Sequence, residues 1–259
     1  MSTLDSFRLD GKTAIVTGGN RGIGRGISDS LAAAGANLVI ANRDEAAGEA
    51  AAEEISDETG AEVRAVATDV TDDDDVEALV DATVEEFGSL DVLVNNAGRT
   101  LNIPAEEMTM EEWRKVMDLN LDAVFRCSRA AGREMIDSDG GSIINVSSIS
   151  AFMANHPQPQ VSYNASKAGV EGFKFQLASE WAEHGIRVNN INPGYVRTDL
   201  IDEVIEEDPE MVEEWRREML LDEMARPEDI GPLAVFLASD ASWYMTGESV
   251  VIDGGYLVR

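Results

Sequence analysis

A single cysteine, Cys127, leaves no internal disulfide for the chain to form. With only two histidines, His156 and His184, it also lacks a metal-ligand cluster, so no metal site is expected. No run of about 18 apolar residues occurs, so no segment is expected to span a bilayer. The first residues, MSTLDSFRLDGK, lack a basic stretch followed by an apolar one, which argues against a secretory signal. No Pro/Ser-rich linker, repeat or low-complexity tract breaks the chain, and 44% hydrophobic residues suffice for a core. These absences predict a soluble cytoplasmic protein of one domain, spanning residues 1–259.

Positive charge is scarce as well. Fifty acidic residues face twenty basic ones, four of them lysine, for a formal net charge of −30. Acidic runs at 72–75 and 206–208 repel polyanions, so no nucleic-acid partner is expected. Like charges this dense are screened within about 3 Å in molar salt, against about 10 Å in dilute salt. The composition therefore resembles that of proteins from organisms with molar salt in their cytoplasm.

Short β-branched or apolar runs recur at 13–17, 37–41, 62–68, 90–95, 142–147, 187–191 and 249–252. Segments of helical period separate them, at 23–34, 45–58, 74–87, 111–136, 163–183 and 227–238. Continuous apolar strands alternating with helices predict an α/β fold: a doubly wound parallel sheet of about seven strands, helices on both faces. Residues 199–226 break this rhythm. They are acidic and place Met211, Trp215, Met219 and Leu220 at near-helical spacing. An insertion at the carboxyl edge of a parallel sheet reads as a small helical lid over a ligand.

The first strand runs straight into TGGNRGIG, residues 17–24, and then into a helix. Gly18, Gly22 and Gly24 let the backbone turn tightly against a pyrophosphate, with the helix N-terminus supplying free N–H groups. The second strand ends at Asn42 and Arg43. A carboxylate there would repel a 2′-phosphate, whereas Arg43, with Arg21 in the glycine turn, offers guanidinium groups to one. NADP(H) is thus the expected cofactor, with NAD(H) as the second choice.

The motifs along the chain resemble those of the short-chain dehydrogenase/reductases, from end to end. They are TGGNRGIG, DV at 69–70, NNAG at 95–98, LN at 119–120, NVSS at 145–148, YNASK at 163–167, NPGYVRT at 192–198 and IDGGY at 252–256. The resemblance implies a Rossmann-type fold and hydride transfer between a nicotinamide and a carbonyl/alcohol pair. It makes Asn120, Ser148, Tyr163 and Lys167 the catalytic set. Tyr163 and Lys167 stand four apart on a helix and so share one face. A tyrosine of ordinary pKa, about 10, is a poor base, and a neighbouring ammonium is expected to lower it. Tyr163 then serves as general acid or base, Ser148 bonds the substrate oxygen, and Asn120 holds a water beside Lys167. Ser148 lies fifteen residues before Tyr163, longer than the usual family spacing, so Ser150 remains a rival for its role.

By the same resemblance, cofactor contacts are expected from Gly18, Asn20, Arg21, Gly22, Ile23, Gly24, Asn42 and Arg43. Further contacts are expected from Asp69, Val70, Asn96, Ala97, Gly98, Tyr163, Lys167, Pro193, Gly194, Val196 and Thr198. Asn155, His156 and Gln160 offer hydrogen bonds that suit a hydroxylated substrate, beside Ser148, Ser150 and Tyr163. The expected substrate is a sugar, polyol or sugar acid. A 3-oxoacyl-thioester reductase is the rival, and a non-catalytic dinucleotide sensor the remote alternative. The family commonly forms tetramers, so a homotetramer is expected through 111–136 and 163–183, with Val124, Phe125, Phe173, Phe175 and Trp181 apolar there and the C-terminal Tyr256–Arg259 packing between subunits.

Overall fold

The computed structural model describes residues 2–221 and 223–259; Asp222, within the expected lid, lies outside the described residues. Seven strands form one parallel sheet: β1 (Thr13–Thr17), β2 (Asn37–Asn42), β3 (Val63–Ala67), β4 (Val92–Asn95), β5 (Gly141–Val146), β6 (Ile186–Pro193) and β7 (Ser249–Ile252). Their spatial order is β3-β2-β1-β4-β5-β6-β7. The helices are α1 (Gly22–Ala33), α2 (Glu45–Thr59), α3 (Asp73–Phe87), α4 (Met110–Met117), α5 (Ala123–Ile136), α6 (Val161–Trp181), α7 (Asp199–Glu207), α8 (Pro209–Glu218) and α9 (Pro227–Ala238). No described helix is long and apolar enough to cross a membrane.

The pleat sorts the core into two layers. Ala14, Val16, Leu38, Ile40, Val92 and Val94 face α1, α2 and α9, where Ile27, Leu31, Ile55 and Ile230 meet them. Ile15, Val39, Leu93, Ile143 and Val188 face the other way, onto Val76, Leu79, Ala131, Met135 and Leu177 of α3, α5 and α6. Both faces being covered explains why these strands read as apolar runs rather than as alternations. Each buried Val, Leu, Ile or Met among them contributes roughly 1.5–3 kcal/mol by leaving water.

The chain winds outward from β1 to β3, then returns to lay β4 beside β1. The crevice between the carboxyl ends of β1 and β4 is therefore the topological switch point, where open α/β sheets bind ligands. Behind it a polar ladder crosses the core in register. Asn95 Nδ2 donates to Asn145 Oδ1 at 2.9 Å, and Asn145 Nδ2 to Asn190 Oδ1 at 2.9 Å. Because each buried amide is satisfied by the next, the ladder fixes register without leaving an unpaired group between these strands.

The expected helix at 111–136 is interrupted. A single π-type turn, Asp118–Asp122, separates α4 from α5 and carries buried Asn120 inward. Over 199–226 two helices form, but Met219 and Leu220 fall beyond the end of α8, and Leu220 is exposed. Val212, Trp215 and Met219 make a small separate core with Tyr195 and Tyr256. Tyr195 stacks on Trp215 at 4.4 Å, and Tyr256 tilts against Tyr195 at 5.5 Å. Tyr256, from the C-terminal stretch Tyr256–Arg259, thus joins the small core of its own chain.

Candidate active site

Tyr163 and Lys167 lie in the first turns of α6, which starts at Val161, and face the end of β5. Lys167 is buried and its Nζ donates to the Val146 carbonyl at 2.8 Å. That ammonium stands 5.6 Å from the centroid of the Tyr163 ring. Burial pulls Lys167 down to about 8, and the carboxylate of Glu171 pulls against it. Burial also pushes the Tyr163 phenol above its ordinary value, while the Ser148 hydroxyl facing it acts to lower it. The expected depression by Lys167 is thus reversed, because lost hydration penalises a phenolate more than its neighbours favour one.

Ser148 follows β5 in extended conformation, and its hydroxyl starts a polar chain. It donates to Ser150 Oγ at 3.0 Å and accepts from the Ser150 amide at 3.1 Å. Ser150 Oγ donates to Asn155 Oδ1 at 2.9 Å; Asn155 Nδ2 donates to Gln160 Oε1. Gln160 Nε2 ends the chain on Asn102 Oδ1 at 2.7 Å. Ser148 therefore faces Tyr163, and Ser150 stands one step behind it.

Asn120 lies outside the cleft lining. Its Oδ1 accepts from the Arg99 amide at 2.9 Å, and its Nδ2 donates to the Arg99 carbonyl at 2.9 Å and to Ser166 Oγ at 3.1 Å. With both amide hydrogens used on protein, it ties the loop after β4 to α6.

The glycine turn meets the requirements of a phosphate cradle. Gly18 and Gly22 adopt positive φ, 65° and 56°. A Cβ at Gly24 would lie 2.1 Å from the Gly18 carbonyl oxygen. Asp44, Asp72 and Thr109 cap α2, α3 and α4 with their side chains, but no side chain caps α1. Its free N–H groups therefore point at the switch-point crevice, ready for an anion. The uncapped start of α7 is nearby, since a Cβ on Gly22 would lie 3.4 Å from Thr198 Cγ2. Asn96 braces the turn, its Nδ2 donating to the Thr17 carbonyl at 2.8 Å and the Gly18 carbonyl at 3.2 Å.

Asn42 and Arg43 sit at the carboxyl end of β2. Asn42 turns its Nδ2 onto the Asp44 carbonyl, and Arg43 is exposed. Among the described residues neither Arg21 nor Arg43 has an ion-pair partner, whereas Arg25 is held by Asp29 and Glu54. Asp69 accepts from Thr71, which lowers its carboxyl, and Arg43 adds to that lowering from close by. Val70 beside it is buried.

A cleft of about 360 Å³ opens along these groups. Ile23, Asn96, Gly98, Ser148, Ser150, Asn155, Tyr163, Lys167, Pro193, Gly194, Val196 and Thr198 line it, as the sequence led one to expect. Gly18, Asn20, Arg21, Gly22, Gly24, Asn42, Arg43, Asp69, Val70 and Ala97 are not among the residues that line this cavity. His156 is exposed and off the lining. Sequence reasoning missed Gln158 in its place, although PQPQ held the signal: the prolines point out while Gln158 and Gln160 turn in. It also missed Thr100, Asn102, Tyr195 and the lining role of Trp215.

A family model described as enoyl-(acyl carrier protein) reductase matches residues 18–257. Galactitol 2-dehydrogenase of Rhizobium johnstonii is 41% identical over 257 residues, covering 99% of each chain. A 3-oxoacyl-[acyl-carrier-protein] reductase of Chlamydia muridarum is 40% identical over 247 residues, covering 95% of this chain and 98% of that one. The chain belongs to the short-chain dehydrogenase/reductase family, and is an oxidoreductase. Among solved structures, a gluconate 5-dehydrogenase from Burkholderia cenocepacia in complex with NADP and tartrate superposes with a TM-score of 0.94 at 32% identity, covering 100% of both chains. As a member of the family, the enzyme uses a nicotinamide dinucleotide and a small-molecule substrate.

Proposed function

We propose an NADP(H)-preferring dehydrogenase of a sugar, polyol or sugar acid. The carrying observation is the polar lining of the cleft, where Thr100, Asn102, Ser148, Asn155, Gln158 and Gln160 gather around one cavity. A substrate bearing several hydroxyls both donates and accepts, and suits such amides and hydroxyls; an acyl chain does neither. Despite the net charge of −30, among the described residues no Asp or Glu lines the cleft, and its charged residues are Arg99 and Lys167. That polarity suits a phosphate-bearing cofactor and tolerates a carboxylated substrate. The galactitol and gluconate dehydrogenases among its relatives support the same class.

Tyr163 gives its phenolic proton to the carbonyl oxygen in reduction and takes the alcohol proton in oxidation. The Ser148 hydroxyl steadies that oxygen, and Lys167 favours the phenolate by its charge. Asn120 fixes the loop that carries Arg99. A bound nicotinamide dinucleotide supplies or accepts the hydride. Its pyrophosphate fits the turn of Gly18, Asn20, Gly22, Ile23 and Gly24 at the start of α1, and Arg21 with Arg43 would hold a 2′-phosphate. Asp69, Val70, Asn96, Ala97 and Gly98 would hold the adenine and ribose side, and Pro193, Gly194, Val196 and Thr198 the nicotinamide end.

Residues 1–259 form one domain in this reading, with α7 and α8 as the substrate lid. Phe125 on α5 and Phe175 on α6 stay 49% and 61% exposed, which supports a homotetramer built on these helices. The acidic composition supports a cytoplasm rich in salt. A 3-oxoacyl-thioester reductase is the second reading, favoured by the Chlamydia relative. Steady-state rates on polyols, sugars, sugar acids and acetoacetyl thioesters, with both cofactors in molar potassium chloride, separate the two. Turnover of hydroxylated substrates with NADP(H) ahead of NAD(H) is expected; activity confined to thioesters would overturn the assignment.

A further inference from the structure

One turn beyond Lys167 on α6 lies a carboxylate that the proposed chemistry leaves unused. Glu171 is 8% exposed and Lys174, below it, 0%. Such groups are almost never buried unless paired. Glu171 Oε2 accepts from Lys174 Nζ at 3.3 Å and from Ser249 Oγ of β7. Its Oε1 accepts from Asn192 Nδ2 of β6 at 2.7 Å. The same Nδ2 donates to the Ser148 carbonyl at 3.2 Å. Both partners of that amide are acceptors, so its NH₂ must face them, and Asn192 Oδ1 is left buried without a partner. The carboxylate thus dictates the amide orientation that holds the backbone of Ser148.

We propose that Glu171 is a positioning residue of the active site: one turn from Lys167 on α6, it places a buried carboxylate beside that ammonium's helix face and, through Asn192, fixes the backbone of Ser148. It rests on the reading of Tyr163, Lys167 and Ser148 given above. Two separate lines run from the one carboxylate to two members of the catalytic set. Along the helix, its negative charge sits one turn from Lys167, with only apolar or neutral groups of β5, β6 and β7 around it. Those facing it are Ser147, Asn190, Asn192 and Ser249; the charged groups are Lys167 and Lys174 of its own helix. Burial opposes its charge, yet its carboxyl is lowered, chiefly by the hydrogen bonds from Asn192 and Ser249. Its field raises Lys167 against the burial that draws that group down to about 8. Lys174 acts the opposite way, as a second buried cation sharing the same carboxylate.

The signs give the test. Glu171→Gln removes the anion, so Lys167 loses its proton at lower pH and the alkaline limb of kcat/KM moves down by about one pH unit. Lys174→Met frees the carboxylate for Lys167 alone, and the limb moves up. The double variant Glu171→Gln/Lys174→Met removes the pair without leaving either charge unmatched, a change that buried pairs often tolerate. Because Lys174 stands two turns from Lys167 and Glu171 one, the downward shift outweighs the upward one. The double variant should keep the native Tm within a few degrees and show a smaller downward shift of the limb, which a merely structural role would not produce. Profiles for the double variant and wild type that coincide would overturn the proposal. Tyr163→Phe, run alongside, separates the two levels. Its abolishing turnover while the limbs stay fixed defeats only the role of Glu171; its remaining active defeats the catalytic reading beneath.

Discussion

Ser148 and Ser150 differ in what their hydroxyls touch. Ser148 faces the Tyr163 phenol, while Ser150 hands its proton to Asn155 and lies a step further from the reacting centre. Ser148→Ala should therefore lower kcat by about 10²–10³-fold, the loss expected for one donor to a developing oxyanion. Ser150→Ala should cost less than about tenfold in kcat and show mainly as a higher KM. Rapid-mixing kinetics with saturating cofactor would show which serine carries the rate, and a larger loss at Ser150 would reverse the assignment. Residues like these were legible because they follow a fixed sequence frame: a strand end for Ser148, a helical repeat of four for Tyr163 and Lys167. Glu171 extended that repeat by one more turn and passed unnoticed, because an isolated glutamate on a helix reads as a solvated face. Only the packing of β6 and β7 against α6 reveals that it is buried.

At the level of elements, the alternation of apolar runs and helical periods located every strand, with ends displaced by a residue or two. What periodicity could not show was the π-type turn at Asp118–Asp122, since its neighbours on both sides keep a helical pattern. Nor could it show where α8 stops, because Met219 and Leu220 keep the apolar rhythm beyond the last helical residue. The glycine turn is the element whose geometry follows most directly from its letters. Gly24→Ala places a methyl 2.1 Å from the Gly18 carbonyl oxygen, and the turn must open to admit it. Dinucleotide affinity, read by quenching of intrinsic fluorescence, should fall more than about tenfold, equivalent to roughly 1.4 kcal/mol. The fold should survive that change, because the turn lies at the crevice and not in either core layer. Unaltered affinity in a folded Gly24→Ala protein would remove the turn from the binding site.

Across the whole molecule, charge and chemistry are segregated. Fifty acidic side chains are carried by the chain, yet none of the described ones lines the cleft, where Arg99 and Lys167 stand. Surface acids often meet arginines, as when Arg129 bonds Asp73 at 2.7 Å and Arg133 bonds Glu77 at 2.8 Å between α5 and α3. Twenty cations cannot match fifty anions, however, and a net −30 remains to repel itself in dilute solution. Exposed pairs of this kind contribute only about 0–1 kcal/mol each, so they do not offset the summed repulsion. Salt acts on the two terms unequally. It weakens the few pairs slightly and screens the many unpaired acids strongly, as the screening length falls from about 10 Å to about 3 Å. The native state, which holds these acids closest together, gains more from screening than the expanded chain does. Stability should therefore rise by about 3 kcal/mol or more from dilute buffer to molar potassium chloride, seen as a Tm higher by roughly 6–12 °C. Charge-neutral osmolyte at matched osmotic strength should give a smaller rise, since it does not screen. Equal melting in dilute buffer and in molar salt would show that the acidic surface is not a device for salt.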